Sequence, residues 1–257
     1  SNVKEKVINL CIKPGIDSTP PYVKAREPIL EWVKYGATEL NASVFTNEPS
    51  DCKWGAQDKD YDLMENDFVC ENSVFDQTIF GWKCSTEFSL GSSDETFYVR
   101  CKDQPWLIEN HTDAVSAIRI DEGDGNYRIQ VLDSKRDRNV NTQSYQFVVK
   151  KSSGVLKIDS ITPDNNILEY GIEPASVEVV VRTSGGVNGK ASCYYKWEDS
   201  YILFLNTQNN IHKQVFRSFN AGDKVIPIRC EDIAGNIAED SSEFRVEIDT
   251  RGPDVTR

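Results

Sequence analysis

The sequence is poor in the residues and patterns from which enzyme centres are built. It has two histidines, His111 and His212, among 257 residues. It contains neither a G-x-S-x-G motif nor a phosphate-binding glycine loop. None of its seven cysteines lies in a C-x-x-C pair, the spacing typical of zinc and redox sites. We therefore expect that the protein is not an enzyme and needs no cofactor.

Long apolar runs and excess positive charge are also missing. No run approaches the ~18 apolar residues that cross a bilayer, and the first residues lack the apolar core of a signal peptide. The formal net charge is −12. Because nucleic acids and anionic lipids attract basic surfaces, this charge argues against both as partners. The sequence thus predicts no nucleic-acid partner and no membrane-spanning segment in these residues.

What the sequence does contain is period-two alternation, which is typical of β-strands. In "SVEVVVR", Val177, Val179 and Val181 share one face, and "EFRVEID" and "YQFVVK" alternate in the same way. Helical patterns are scarce. The best helix candidate, "ILEWVKYGATEL" at 29–40, lacks a clean cap. We expect an all-β fold.

A module recurs along the chain. "FYVRCKD" at 97–103 and "IPIRCED" at 226–232 each follow an earlier cysteine with aromatic neighbours and precede a closing strand. The terminal "DTRGPDV" resembles "DSTPPYV" at 17–23. This resemblance predicts the start of a third copy. "VINLCI", before Asp17, is in turn typical of the end of an earlier copy.

The repeat resembles the tandem immunoglobulin-like domains of archaeal, or more generally prokaryotic, cell-surface proteins. The residues that support the resemblance are "TNEPSDCKW", "FYVRCKDQPW", "CYY", "RCEDIAGN" and "IDTRGP". It implies tandem immunoglobulin-like β-sandwiches in an extracellular or cell-surface location. We expect the end of a preceding module or a linker at 1–17, domains at 18–150 and 151–250, and a linker at 251–257.

The positions of the cysteines predict structural disulfides, because several of them alternate in phase with core residues. Cys101 is in phase with Phe97 and Val99, and Cys230 with Ile226 and Ile228. The expected pairs are Cys52–Cys101, Cys70–Cys84 and Cys193–Cys230. The two longer closures are each worth roughly 4 kcal/mol in the chain-entropy model. Cys11 is left unpaired or bonds to another module or subunit.

One segment interrupts the repeat, an insertion at about 105–140 in the first domain. Its two alternating runs flank "DEGDGN" at 121–126, which predicts a β-hairpin with this turn at its tip. As an alternative, Asp121, Glu122, Asp124 and Asn126 could supply oxygen ligands for calcium. We hypothesise that the hairpin contacts another module or subunit. The alternative is a loop that packs on its own domain.

Two sequons, at Asn41 and Asn110, are candidate glycosylation sites if the protein is exported.

Two functions from different classes fit these features. The leading one is a structural or adhesive module of a stalk, envelope layer or filament, whose partners are neighbouring modules or other copies of the protein. The alternative is a ligand-binding accessory module of a secreted enzyme, for example one that binds carbohydrate through Trp82, Trp106 or Trp197. Because Trp197 shares the phase of Cys193, we expect it in the core.

Overall fold

The structure is a computed structural model, and it describes residues 19–105, 116–123, 126–133 and 138–249. These residues form two compact units. The first lies within Ser1–Glu27, Asn41–Thr86 and Phe97–Phe147, and the second within Pro28–Leu40, Glu87–Thr96 and Val148–Arg257. The domain boundaries expected from the sequence stay a prediction.

The N-terminal part of the chain is built from short strands. They are β1 (Val23–Glu27), β2 (Trp32–Val33), β3 (Glu39–Thr46), β4 (Ser50–Gly55), β5 (Asn66–Asp67), β6 (Val69–Cys70), β7 (Trp82–Ser89), β8 (Glu95–Asp103), β9 (Ser116–Gly123), β10 (Asn126–Asp133) and β11 (Tyr145–Lys151). Single-turn 3-10 helices span Tyr61–Leu63 and Val74–Asp76.

The C-terminal part repeats the pattern with longer strands. They are β12 (Leu156–Thr162), β13 (Asn166–Tyr170), β14 (Ala175–Gly185), β15 (Ser192–Trp197), β16 (Ser200–Leu203), β17 (Ile211–Phe219), β18 (Gly222–Glu231) and β19 (Ile237–Ile248).

The order of the strands is that of an immunoglobulin-like sandwich in both parts. The N-terminal sheets have the orders β1-β3-β7-β6 and β2-β11-β8-β4-β5, and the C-terminal sheets have the orders β12-β14-β17 and β13-β19-β18-β15-β16. In the immunoglobulin nomenclature, β1-β3-β7-β6 corresponds to strands A, B, E and D, and β11-β8-β4 to G, F and C. The predicted all-β, immunoglobulin-like fold is confirmed.

The core of the second unit follows from the period-two pattern. Along β14, Val177, Val179 and Val181 are buried, and the residues between them are exposed or half-buried. They pack with Ile228 of β18 and Val246 of β19, in the opposite sheet, as one apolar cluster. Burying apolar surface between two sheets is the main favourable contribution to the stability of such a fold.

The best helix candidate, at 29–40, is not helical in the structure. Trp32 and Val33 pair in parallel with Lys150 and Lys151 of β11, and the segment turns at Gly36, whose φ is +75°. A φ in this range suits glycine and stops a helix. The helical spacing of the apolar residues had no cap to start a helix, and pairing at the edge of a sheet was stronger.

Three disulfides each join neighbouring strands of one sheet. Cys52 faces Cys101 across β4 and β8, Cys70 faces Cys84 across β6 and β7, and Cys193 faces Cys230 across β15 and β18. The structure therefore brings together the cysteines that the sequence pairs. In antibody domains the disulfide links strands B and F of opposite sheets. Here each of the two sandwiches has one disulfide between strands C and F of the same sheet.

A buried histidine sits in the second unit. His212, in β17, is fully buried. Its Nε2 lies 2.9 Å from the hydroxyl oxygen of Thr183 and its Nδ1 lies 2.8 Å from that of Thr207. Burial lowers the pKa of His212 to about 4 from its usual 6.5. The neutral ring is therefore part of the packed interior.

None of the helical segments in the described part of the chain has the length and hydropathy of a membrane span.

His212 makes the stability of the second unit depend on pH. Because the folded pKa is depressed, the unfolded chain binds more protons below pH 6.5, so stability falls as pH falls from 6.5 toward 4. Between pH 7 and pH 5 we expect the free energy of unfolding to drop by about 2 kcal/mol more than in His212→Gln. Urea unfolding at both pH values measures this, and equal drops would contradict it.

Candidate functional site

A tight turn after the second R-C-x-D motif is closed by an aspartate and an asparagine. The backbone N–H of Asn236 donates to Oδ1 of Asp232 at 2.8 Å, and the Asn236 side-chain amide donates to Oδ2 at 2.8 Å. The backbone N–H of Asp232 donates to the carbonyl of Asn236 at 3.0 Å. Gly235, with φ of +79°, completes the turn. This arrangement satisfies the buried carboxylate within five residues.

The first R-C-x-D motif makes the same three bonds to a residue far along the chain. The backbone N–H of Asn139 donates to Oδ1 of Asp103 at 2.7 Å, and its side-chain amide donates to Oδ2 at 2.6 Å. The backbone N–H of Asp103 donates to the carbonyl of Asn139 at 3.0 Å. Asn139 is thus the counterpart of Asn236. Residues Gln104–Arg138 stand where the second copy has only Ile233, Ala234 and Gly235.

The base of this insertion is fastened by Arg138. Its guanidinium donates to the carboxylate of Asp51 at 2.8 Å, to the carbonyl of Lys102 at 3.1 Å and to the carbonyl of Asp103. The Arg138 side chain is only 8% exposed. A charge-assisted bond that is shielded from water is stronger than a surface ion pair. The turn and Arg138 together hold both ends of the insertion at the end of strand F.

Within the insertion, β9 and β10 form the expected antiparallel hairpin. Ile118 pairs with Gln130 and Ile120 with Arg128. The two strands form a sheet of their own among the described residues. Of the candidate calcium ligands, Asp121 lies in β9 and Asn126 in β10, whereas Asp124 lies outside the described residues. The candidate glycosylation site Asn110 also lies outside them. The calcium alternative therefore stays a prediction.

The loop between β6 and β7, residues 71–81, exposes large apolar side chains. We call it the apolar loop. Phe75 is 97% exposed and Ile79 is 89% exposed, and Phe80 and the neighbouring Val69 are exposed as well. Single exposed apolar residues are common, but a group of them on one loop usually marks an interaction surface.

The apolar loop is held in one conformation from both ends. At its base, Cys70 and Cys84 are joined, and the carbonyl of Lys83 accepts from the backbone N–H of Glu71 at 2.8 Å. Within it, the backbone N–H of Ser73 donates to the carboxylate of Asp76, and the Ser73 hydroxyl accepts from the backbone N–H of Phe75, both at 3.2 Å. The indole N–H of Trp82 donates to the Ser73 carbonyl at 3.1 Å, so this tryptophan braces the loop.

The tip of the apolar loop also packs against the sandwich. The rings of Phe80 and the buried Phe45 are 5.6 Å apart between centroids. Gly81 has φ of +122°, and a Cβ there would lie 2.0 Å from the carbonyl oxygen of Thr46. Phe75 and Ile79 are therefore displayed on a fixed support, which lowers the entropy that a partner must overcome on binding.

A groove of about 360 Å³ lies between strands β15, β16 and β17 of the second unit. Tyr195 and Phe216 pack edge to face in its wall at 4.9 Å, and Arg217 and Ser218 line it with polar groups. Trp197 lines it too and is 56% exposed, so the expectation that Trp197 belongs to the core is wrong. Trp197 is the last residue of β15, opposite Ser200 of β16, and lies beyond Tyr195, the last residue of β15 that pairs with β18.

Other predicted site residues are placed as follows. Asn41 is exposed on β3, as a glycosylated asparagine must be. Cys11 and Trp106 lie outside the described residues.

The sulfur atoms of Cys52, Cys70 and Cys84 lie within 4.8 Å of one another. Thiolates so placed are ligands for soft metals, but here these sulfurs are in disulfides.

Comparisons with known proteins found similar folds. No protein-family model and no curated protein matches the chain. Among solved structures, it is similar to the fibronectin(III)-like modules of Clostridium thermocellum CbhA, with 12% identity, a TM-score of 0.44, and coverage of 95% of this chain and 98% of that one. It is also similar to murine CEACAM1b, with 11% identity, a TM-score of 0.32, and coverage of 89% and 99%. For Yersinia pseudotuberculosis adhesin InvE the identity is 9%, the TM-score 0.28, and the coverage 89% and 60%.

The matching turns predict that the insertion can be removed without loss of the first sandwich. We expect a variant with Ile-Ala-Gly in place of Gln104–Arg138 to fold and to keep Cys52–Cys101. The shorter loop costs up to about 2 kcal/mol less entropy to close. Because the variant also loses the bonds of Arg138 to Asp51, Lys102 and Asp103, we expect its stability to stay within about 2 kcal/mol of the parent's. Thermal unfolding and disulfide mapping measure both. Adding Asp103→Ala to this variant should destabilise it, and equal stability would show that the turn is not what closes the loop.

Proposed function

We propose that the protein is an extracellular structural or adhesive module of a cell-surface protein, and that it binds other copies of itself through the apolar loop. The observation that carries the proposal is the near-complete exposure of Phe75 and Ile79 on a rigid loop. The disulfides support an oxidising compartment. The resemblance of the repeat to archaeal surface modules supports the cell surface. In this proposal the chain has no catalytic activity.

The energetics favour a protein as the partner of this surface. Fully burying one large apolar side chain is worth roughly 1.5–3 kcal/mol, so Phe75 and Ile79 together can supply much of a binding free energy. Their acidic neighbours Glu71 and Asp76, in a chain of net charge −12, disfavour an anionic lipid surface. An apolar pocket on another protein can take up both side chains without a basic patch.

Sedimentation velocity of the full chain over a range of concentrations tests the proposal. We expect the wild type to associate, and Phe75→Ser with Ile79→Ser to weaken association about 100-fold, because both buried side chains are lost. Ile172→Ser is the matched control, since Ile172 is 78% exposed in the second unit. A wild type that stays monomeric, or a control that weakens association equally, would reject the apolar loop as the contact.

A second candidate function, carbohydrate binding, is favoured by the groove at Trp197. An exposed indole beside Tyr195 offers an apolar face on which a sugar ring can stack, and Arg217 and Ser218 supply donors for its hydroxyl groups. A groove of this volume fits a short oligosaccharide. In this case the chain is a ligand-binding accessory module.

Glycan-array binding tests the second candidate. We expect Trp197→Ala to weaken the affinity for any glycan that the wild type binds by about 10-fold or more, because burying a large aromatic side chain against the sugar contributes roughly 1.5–3 kcal/mol. Tyr22→Ala is the control, since Tyr22 is as exposed as Trp197 but lies in the first unit. Binding that survives Trp197→Ala would exclude the groove.

A further inference from the structure

Two disulfides of the first unit lie side by side, one from each sheet. Cys52–Cys101 joins β4 and β8, and Cys70–Cys84 joins β6 and β7. The sulfurs of Cys52, Cys70 and Cys84 are all within 4.8 Å of one another. A sulfur of one bond is therefore next to both sulfurs of the other. The second unit has no such neighbour for Cys193–Cys230 among the described residues.

The four cysteines of these two disulfides differ in their exposure to solvent. Cys52, Cys84 and Cys101 are buried, with exposures of 1%, 0% and 1%, whereas Cys70 is half-buried at the base of the apolar loop. A thiolate from solution can therefore approach Cys70 but not the other three. Attack by a thiolate on a disulfide sulfur is the step by which such bonds exchange.

We propose that Cys52, Cys70 and Cys84 form a thiol–disulfide exchange centre that connects the surface of the first unit to its buried Cys52–Cys101 bond. A small-molecule thiolate attacks the sulfur of Cys70, forms a mixed disulfide there and releases Cys84 as a thiolate. The Cys84 thiolate attacks the sulfur of Cys52. The Cys52–Cys84 bond forms, the Cys52–Cys101 bond breaks, and its electron pair leaves on Cys101, which takes up a proton.

The steps leave the number of thiols and of disulfides unchanged, because the entering thiol ends in the mixed disulfide on Cys70 and Cys101 ends as a thiol. They replace the bonds Cys70–Cys84 and Cys52–Cys101, each within one sheet, by a Cys52–Cys84 bond between β4 and β7, which belong to opposite sheets. The first unit thus has a second disulfide arrangement that a small thiol can reach. This inference does not depend on the proposed function.

Removal of Cys101 tests the exchange without any added reductant. In a Cys11→Ser background of the full chain, Cys101→Ser leaves the Cys52 thiol beside Cys70–Cys84. At mildly alkaline pH we expect alkylation and peptide mapping to find Cys52 bonded to Cys70 or Cys84 in part of the molecules. Cys230→Ser in the same background is the matched control. There Cys193 should stay a free thiol, because no second disulfide lies beside it.

The result that would overturn the proposal is a folded Cys101→Ser protein in which Cys52 is always alkylated and Cys70–Cys84 is intact. If that variant does not fold, the wild type with one equivalent of glutathione decides. Exchange predicts a peptide pair linked through Cys52 and Cys84, with the Cys101 thiol labelled and glutathione on Cys70. Labelling of Cys84 alone, with Cys52–Cys101 unbroken, would reject the exchange.

Discussion

The cross-strand disulfide between strands C and F is the constraint on which the rest of each sandwich depends. It places Cys52 opposite Cys101, and Cys193 opposite Cys230, so the register of the two central strands has one value. Two residues beyond the second cysteine, the chain reaches Asp103 or Asp232, both buried at the end of the strand. A register shift of one residue would turn these carboxylates toward the other face of the sheet. The turn between F and G therefore depends on the disulfide.

The aspartate–asparagine turn explains how one module tolerates a long insertion. Its three hydrogen bonds need only the two end residues, because they join Asp103 to Asn139 just as they join Asp232 to Asn236. In the second copy Ala234 and Gly235 also donate to Asp232, but the three bonds shared by both copies join the end residues alone. The entropy of closing a loop, in turn, grows slowly with its length. In variable immunoglobulin domains the F–G loop lies at the end of the sandwich used for recognition. The hairpin β9–β10 occupies the corresponding position.

The sequence allowed the scaffold to be predicted because its signals are local. Alternation along β14 and the phase of Cys101 with Val99 follow from the period of a strand and need no knowledge of distant residues. The partnership of Asp103 with Asn139 could not be predicted in that way, since nothing local distinguishes Asn139 from its neighbours. The spacing from aspartate to asparagine gives no signal either, since it is 236−232 = 4 residues in the second copy and 139−103 = 36 in the first.

The candidate sites were harder to predict, because they depend on where pairing stops rather than on the pattern itself. Trp197 has the alternation of a core residue, but it lies where β15 turns into β16, beyond Tyr195, the last residue of β15 that pairs with β18. His212 is polar in sequence, and its burial depends on Thr183 of β14 and Thr207 of the loop before β17, whose hydroxyl groups meet its ring.

Phe75 and Ile79 lie in a loop whose shape comes from caps and from Gly81, which leave no periodic signal. The tie between Cys70 and Cys84 gives that loop a fixed base. Phe80 packs on Phe45 of the sandwich, and this arrangement leaves Phe75 and Ile79 pointing into solvent. A flexible loop would bury them against its own domain, because apolar surface leaves water wherever the backbone permits it. Their exposure therefore follows from the rigidity of the loop, and the same rigidity presents them to a partner.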